Sequence, residues 1–290
     1  MRHVPQLSLI DLLPNNEPIQ KDSLLVILKG YFDGGNEADS TQYDVVTLAA
    51  LSGTTDQWRP FEAVWKTTLE KHKADWLHTT DAVTLNGQFR RDRGWDEGKR
   101  DAFILDCVKV VERHIARKKT AKSPGRPGLY PFTVTVVLED FIKAREISSD
   151  VPKDATEICA TQAVNRCLEW GKDIAHADFY HLFFDQGEPF RGHISDRKRN
   201  PKALKQLPLL DRIMHIGESD CRYVPALQLA DLFAWCVSHK NRTPRYGWQT
   251  KVLSLPRIDE WLDYKLLVKP LPATANLVKS WNLPRRRPTR

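Results

Sequence analysis

Hydrophobic and polar positions alternate along this chain in two periods. Leu24 to Asp33 is a nearly unbroken apolar run, and its composition predicts a strand buried on both faces and stopped by Gly34 and Gly35. Tyr43 to Leu51 repeats the pattern and predicts a second strand, joined to the first as an antiparallel hairpin through a loop at Gly34 to Thr41. From Asp56 to Lys73 the period changes to that of a helix, with Phe61, Val64, Trp65 and Leu69 on one stripe and Pro60 suited to a first turn. Trp76 to Asp81 reads as a short third strand entering a loop that continues to Trp95. A second helix follows over Asp96 to Lys118, and Phe132 to Leu138 is a further strand ending in Glu139 and Asp140.

Asp154 to Trp170 has the pattern of a helix capped by Asp154 and closed by Gly171. Ala177 to Phe184 predicts a strand running into Asp185-Gln186-Gly187-Glu188. Ile194 to Gln206 is charged and only partly helical in pattern. Arg212 to Ile216 predicts a last strand, and Pro225 to about His239 a last strong helix. The order predicts an α/β domain over 23–244, a mixed sheet with helices on its faces. An arm over 1–22 precedes it, and a C-terminal extension over 245–290, packed on the domain and ending in a basic tail, follows.

Composition narrows the function classes. No apolar run approaches the ~18 residues of a membrane span, and the amino terminus is too broken by Asp11 and Pro14 for a signal peptide. The five cysteines form no C-x-x-C pair, so neither a zinc ribbon nor a disulfide framework is predicted, and a reduced, cytoplasmic setting is expected. A net charge of +7 favours a polyanionic partner such as nucleic acid. Basic residues cluster at Arg90, Arg91 and Arg93, and at Lys198, Arg199, Lys202 and Lys205. These are candidate phosphate contacts, and Trp95 beside the first cluster could stack on a base.

The acids carry the chemistry. Asp33, Glu139 or Asp140, and Asp185 each follow an apolar strand, where parallel strands would gather them at one sheet edge. Asp231 sits in the last helix on a face that is apolar apart from Gln228, so its carboxylate needs a partner, either a metal or a structural one such as an arginine or several amides. Such an oxygen-rich set suits Mg²⁺ or Mn²⁺, and two such ions serve phosphodiester hydrolysis.

Three stretches then resemble a known family. Tyr31-Phe32-Asp33 before glycines, Phe184-Asp185-Gln186, and Leu227-Gln228-Leu229-Ala230-Asp231-Leu232 are similar to segments of the bacterial and phage proteins called domain of unknown function 3800, as is Trp76 to Trp95. The resemblance covers roughly residues 24–240. It implies a ribonuclease-H-like fold and a metal-dependent nuclease site at Asp33, Asp185 and Asp231, with His78 and Asp81 nearby. Family members often carry an acid where this chain has Gly34 and where it has Gln186, and Glu188 is the candidate substitute. In a ribonuclease-H-like sheet the strand at 132–138 is expected beside strand one, which favours Glu139 or Asp140 as a ligand, whereas the family motif favours Asp185, with Glu139 held in reserve. His78 is either a base or phosphate contact, or a loop histidine bonded to Asp81. The alternative to a nuclease is a non-catalytic subunit that binds nucleic acid or a protein partner in a phage-defence or mobile-element system.

Overall fold

The computed structural model describes residues 26–35, 45–117, 125–241 and 246–268. The arm at 1–22, the hairpin loop and the basic tail therefore lie outside the described residues. Six strands form one mixed sheet: β1 (Ile27–Gly35), β2 (Val45–Thr54), β3 (Tyr130–Val137), β4 (Phe179–Asp185), β5 (Ile213–Ser219) and β6 (Ile258–Leu262), in the order β5-β4-β1-β2-β3-β6. β2 is antiparallel to both β1 and β3; the β1–β4, β4–β5 and β3–β6 pairs are parallel.

Alternation of side chains sends Leu28 and Phe32 of β1 into one core and Tyr31 into the other. The first core joins the sheet to α4 (Leu138–Ile147), α5 (Ala155–Trp170) and α6 (Phe190–Arg199). The second joins it to α1 (Thr55–His72), α3 (Glu97–His114) and α8 (Pro225–Ser238). Asp33 is two residues beyond Tyr31, so it stands on the α8 side.

Local signals account for most element ends. Asp96 accepts from Lys99 N–H at 2.7 Å and Asp154 from Thr156 N–H at 2.8 Å, each opening a helix. Gln57 accepts from Thr54 N–H at 2.9 Å and starts α1 at Thr55, so Pro60 falls inside the helix rather than in its first turn. Gly171 does not stop α5; the chain runs on as a π-turn over Gly171–Ala175 and ends at His176 in the left-handed region.

Four sequence expectations are corrected. Trp76 to Asp81 is no strand: it leads into the short helix α2 (Thr79–Thr84). The strand beside β1 is β4, not the one at 132–138, because β2 lies between β1 and β3. Glu139 and Asp140 are not a strand terminus but the first turn of α4. The region after 245 is more than a covering layer. α9 (Gly247–Ser254) buries Trp248 and Val252, and β6 completes the sheet, held by Arg166 Nε on Glu260 at 2.8 Å.

Candidate functional site

The site begins with the close approach of α8 to β1. A Cβ on Gly35 would meet the Ala234 carbonyl oxygen at 2.8 Å, so only glycine lets the helix lie this near the strand. Asp231 is one turn before Ala234, and this contact brings it to the end of β1 where Asp33 sits. On the other side of β1, Phe32 is in register with Phe184 of β4, which sets Asp33 beside Asp185. Glu188 follows on the loop leading to α6. A Cβ on Gly34 would meet Glu188 Oε2 at 2.8 Å and the Phe190 ring at 2.6 Å. Glu188 thus occupies the space that a side chain at position 34 would need.

Four carboxylates consequently act on one another. Asp33 is 5% exposed. Burial, then the charges of Asp231, Glu188 and Asp185, push its pKa well above the usual carboxylate range against one hydrogen bond from Gly34 N–H. Asp231, 7% exposed, is raised by burial, which outweighs His78 and the N–H of Thr79. That N–H reaches Asp231 Oδ2 at 2.6 Å. Asp185 is raised by burial against the N–H groups of Gln186 and Cys221, the latter at 2.9 Å from Oδ1. Among the described residues, none of Asp33, Asp185 and Asp231 is ion-paired with lysine or arginine.

His78 is the imidazole of this cluster. Burial opposes its protonation, but Asp231, Asp81 and Asp185 prevail and raise its pKa. Its Nδ1 lies 3.1 Å from Asp81 Oδ2, which leaves Nε2 turned to other partners. The expected contact with Asp81 is present, and His78 also stands within the field of Asp231 and Asp185.

The remaining candidates fall elsewhere. Glu139 has a side chain 78% exposed and ion-paired with Lys143. Two strand spacings, about 10 Å, separate the end of β3 from that of β1, so Glu139 does not join the cluster. Lys198 donates to the carbonyl of Ile213, and Ile213 pairs with Tyr180 at the start of β4. That is the far end of the sheet, about 17 Å of strand from Asp185. Arg199 follows it there, paired with Asp196, and Lys202 and Lys205 lie on the next helix, α7 (Pro201–Gln206). None of these four adjoins the acids. Trp95 is 4% exposed against Phe89 and Phe103, which excludes base stacking. Arg90 and Arg91 line an open cleft of about 440 Å³ with Val83, Leu85 and Arg100, where they pair with Asp92 and Glu97. Arg93 is exposed outside it.

The donor set is all oxygen apart from His78, which suits a hard cation. Among the described residues, however, no three His, Cys, Asp or Glu side chains stand at metal-holding spacing. No family model, curated protein or solved structure matches the chain.

Proposed function

We propose that this chain is a divalent-metal-dependent nuclease of ribonuclease-H-like fold, in which Asp33, Asp185 and Asp231 hold Mg²⁺ or Mn²⁺ and Glu188 completes the acidic set. The observation that carries the reading is the gathering of these buried and half-buried carboxylates from β1, β4 and α8 with raised pKa values and, among the described residues, no lysine or arginine paired with them. Burying like charges together is costly unless a cation is part of the design. The antiparallel β1-β2-β3 meander followed by β4 and β5 parallel to β1 supports the ribonuclease-H-like part. The place of Glu188 over Gly34 offers the substitute that the similarity to domain of unknown function 3800 proteins calls for.

Bound metal would supply positive charge to the attacking water and to the leaving oxygen of a phosphodiester. The chain supplies the rest. Asp81 fixes His78 by its Nδ1, so that Nε2 can take a proton from water or give one to the leaving group. Thr79 and Cys221 N–H groups hold one oxygen each of Asp231 and Asp185 in place. The basic surface near the cleft of Arg90 and Arg91 would meet the nucleic acid.

Incubation with labelled RNA, single-stranded DNA and duplexes in Mg²⁺ or Mn²⁺ tests this. Cleavage by the wild type, lost in Asp33→Asn and Asp231→Asn, is the expected result. No cleavage of any substrate, or an Asp33→Asn protein as active as the wild type, overturns it. One observation favours a second reading, a subunit that binds nucleic acid or a protein partner in a phage-defence or mobile-element system without cutting: no three ligands stand at metal-holding spacing among the described residues.

A further inference from the structure

Two of the backbone N–H groups on the acids come from segments distant in sequence from the acid they meet, that of Thr79 on Asp231 and that of Cys221 on Asp185. Neither belongs to a strand, and each sits on a segment that needs its own anchor. One side chain anchors both. Gln228 lies one helical turn before Asp231 on α8 and is 1% exposed. Its Oε1 accepts from Leu77 N–H at 3.0 Å and from the Trp65 indole at 2.8 Å. Its Nε2 donates to the Cys221 carbonyl at 2.8 Å. Leu77 immediately precedes His78 and Thr79. Cys221 is the residue whose own N–H reaches Asp185.

The pattern of partners fixes the amide's orientation, since two donors meet its oxygen and one acceptor its nitrogen. A methionine would leave two buried donors, the Leu77 N–H and the Trp65 indole, without their acceptor, and the Cys221 carbonyl with only the Val224 N–H at 3.3 Å. A glutamate would set an oxygen against the Cys221 carbonyl. We infer that Gln228 is a positioning residue that locks the two loops on either side of the acidic site, so that Asp231, Asp185 and His78 keep one mutual arrangement. The assignment rests on the carboxylates being the working groups, not on which bond they help to break.

Hydrogen exchange by NMR and Mn²⁺ titration by calorimetry test it on the full chain. In Gln228→Met the amides of Leu77, Thr79 and Cys221 should exchange about tenfold faster or more, while those of Phe32 and Phe184 in the sheet stay protected. Mn²⁺ affinity should fall by a similar factor. Trp65→Phe removes one bond to the same oxygen but leaves both loops tied, so its Mn²⁺ affinity should stay within about twofold of wild type. Equal loss of Mn²⁺ affinity in both variants, or three amides still protected in Gln228→Met, would overturn the assignment. Should Gln228→Met not fold, the wild type decides: Gln228 Nε2 protons must exchange slowly, and exchange at the rate of a free amide defeats the proposal. A wild type that binds no Mn²⁺ would defeat the metal site alone, because the exchange measurement still judges Gln228.

Discussion

Replacing Asp33 by asparagine should stabilise the metal-free protein while abolishing its activity. Asp33 is 5% exposed, accepts a single backbone hydrogen bond, and faces Asp231, Glu188 and Asp185. Asparagine keeps the oxygen for Gly34 N–H and removes the charge. Leaving a buried polar group poorly satisfied costs on the order of 1–3 kcal/mol, and Asp33→Asn should recover a gain of that order. In a domain of this size each kcal/mol moves Tm by roughly 2–4 °C. The sign with pH follows from linkage. An acid whose folded pKa is raised holds its proton more tightly in the folded chain, so its contribution is complete below the unfolded value near 3.8 and is lost as pH rises through the folded value. Asp185 and Asp231 act in the same direction. Asp106, lowered by Lys109, Lys71 and His72, acts oppositely but only in stronger acid. Thermal unfolding in EDTA between pH 5 and 8 should therefore show Asp33→Asn gaining on the wild type as pH rises. A less stable variant at pH 7, or a difference that does not change with pH, would show that the Asp33 carboxylate is already satisfied.

Other perturbations separate positioning from chemistry. Gly34→Ala should cost about 1–3 kcal/mol in chemical denaturation and should also reduce cleavage, since the new Cβ would displace Glu188 and Phe190. His78→Gln should lower turnover by roughly 10²-fold or more, read from cleavage rates at saturating substrate, and should lower thermal stability at pH values below the raised imidazole pKa, an effect that fades as pH rises through it. Arg166→Leu should cost about 1–3 kcal/mol by leaving the half-buried Glu260 carboxylate with Gln162 in place of its charged partner. Because Glu260 belongs to β6, exchange should rise first at that edge of the sheet.

The parts of the site readable from sequence were those written in local pattern. Asp33 and Asp185 end apolar runs, and Asp231 lies on a helix face too apolar for a bare charge; the structure brings all three to one place. Strand adjacency was not readable. β1 and β4 pair across about 150 residues, and no local feature distinguishes that pairing from one with β3, which made Glu139 a rival to Asp185. The cluster at Lys198 to Lys205 shows why charge density misleads: the sequence records that lysines are close together, not which end of the sheet they occupy. Trp76 to Asp81 has strand composition, but its N–H groups bond to Gln228 and Asp231 side chains rather than to a neighbouring strand. Gln228 itself was visible as the polar exception on an apolar face. The two loops it ties could be known only from the fold.

Crystals soaked in Mn²⁺ and measured at the manganese absorption edge would address the central claim most directly. The account predicts an anomalous peak within ligand distance of carboxylate oxygens from Asp33, Asp185 and Asp231, absent in crystals of Asp33→Asn. A soaked wild-type crystal with no peak among these residues, its four carboxylates protonated or paired with cationic side chains, would contradict it.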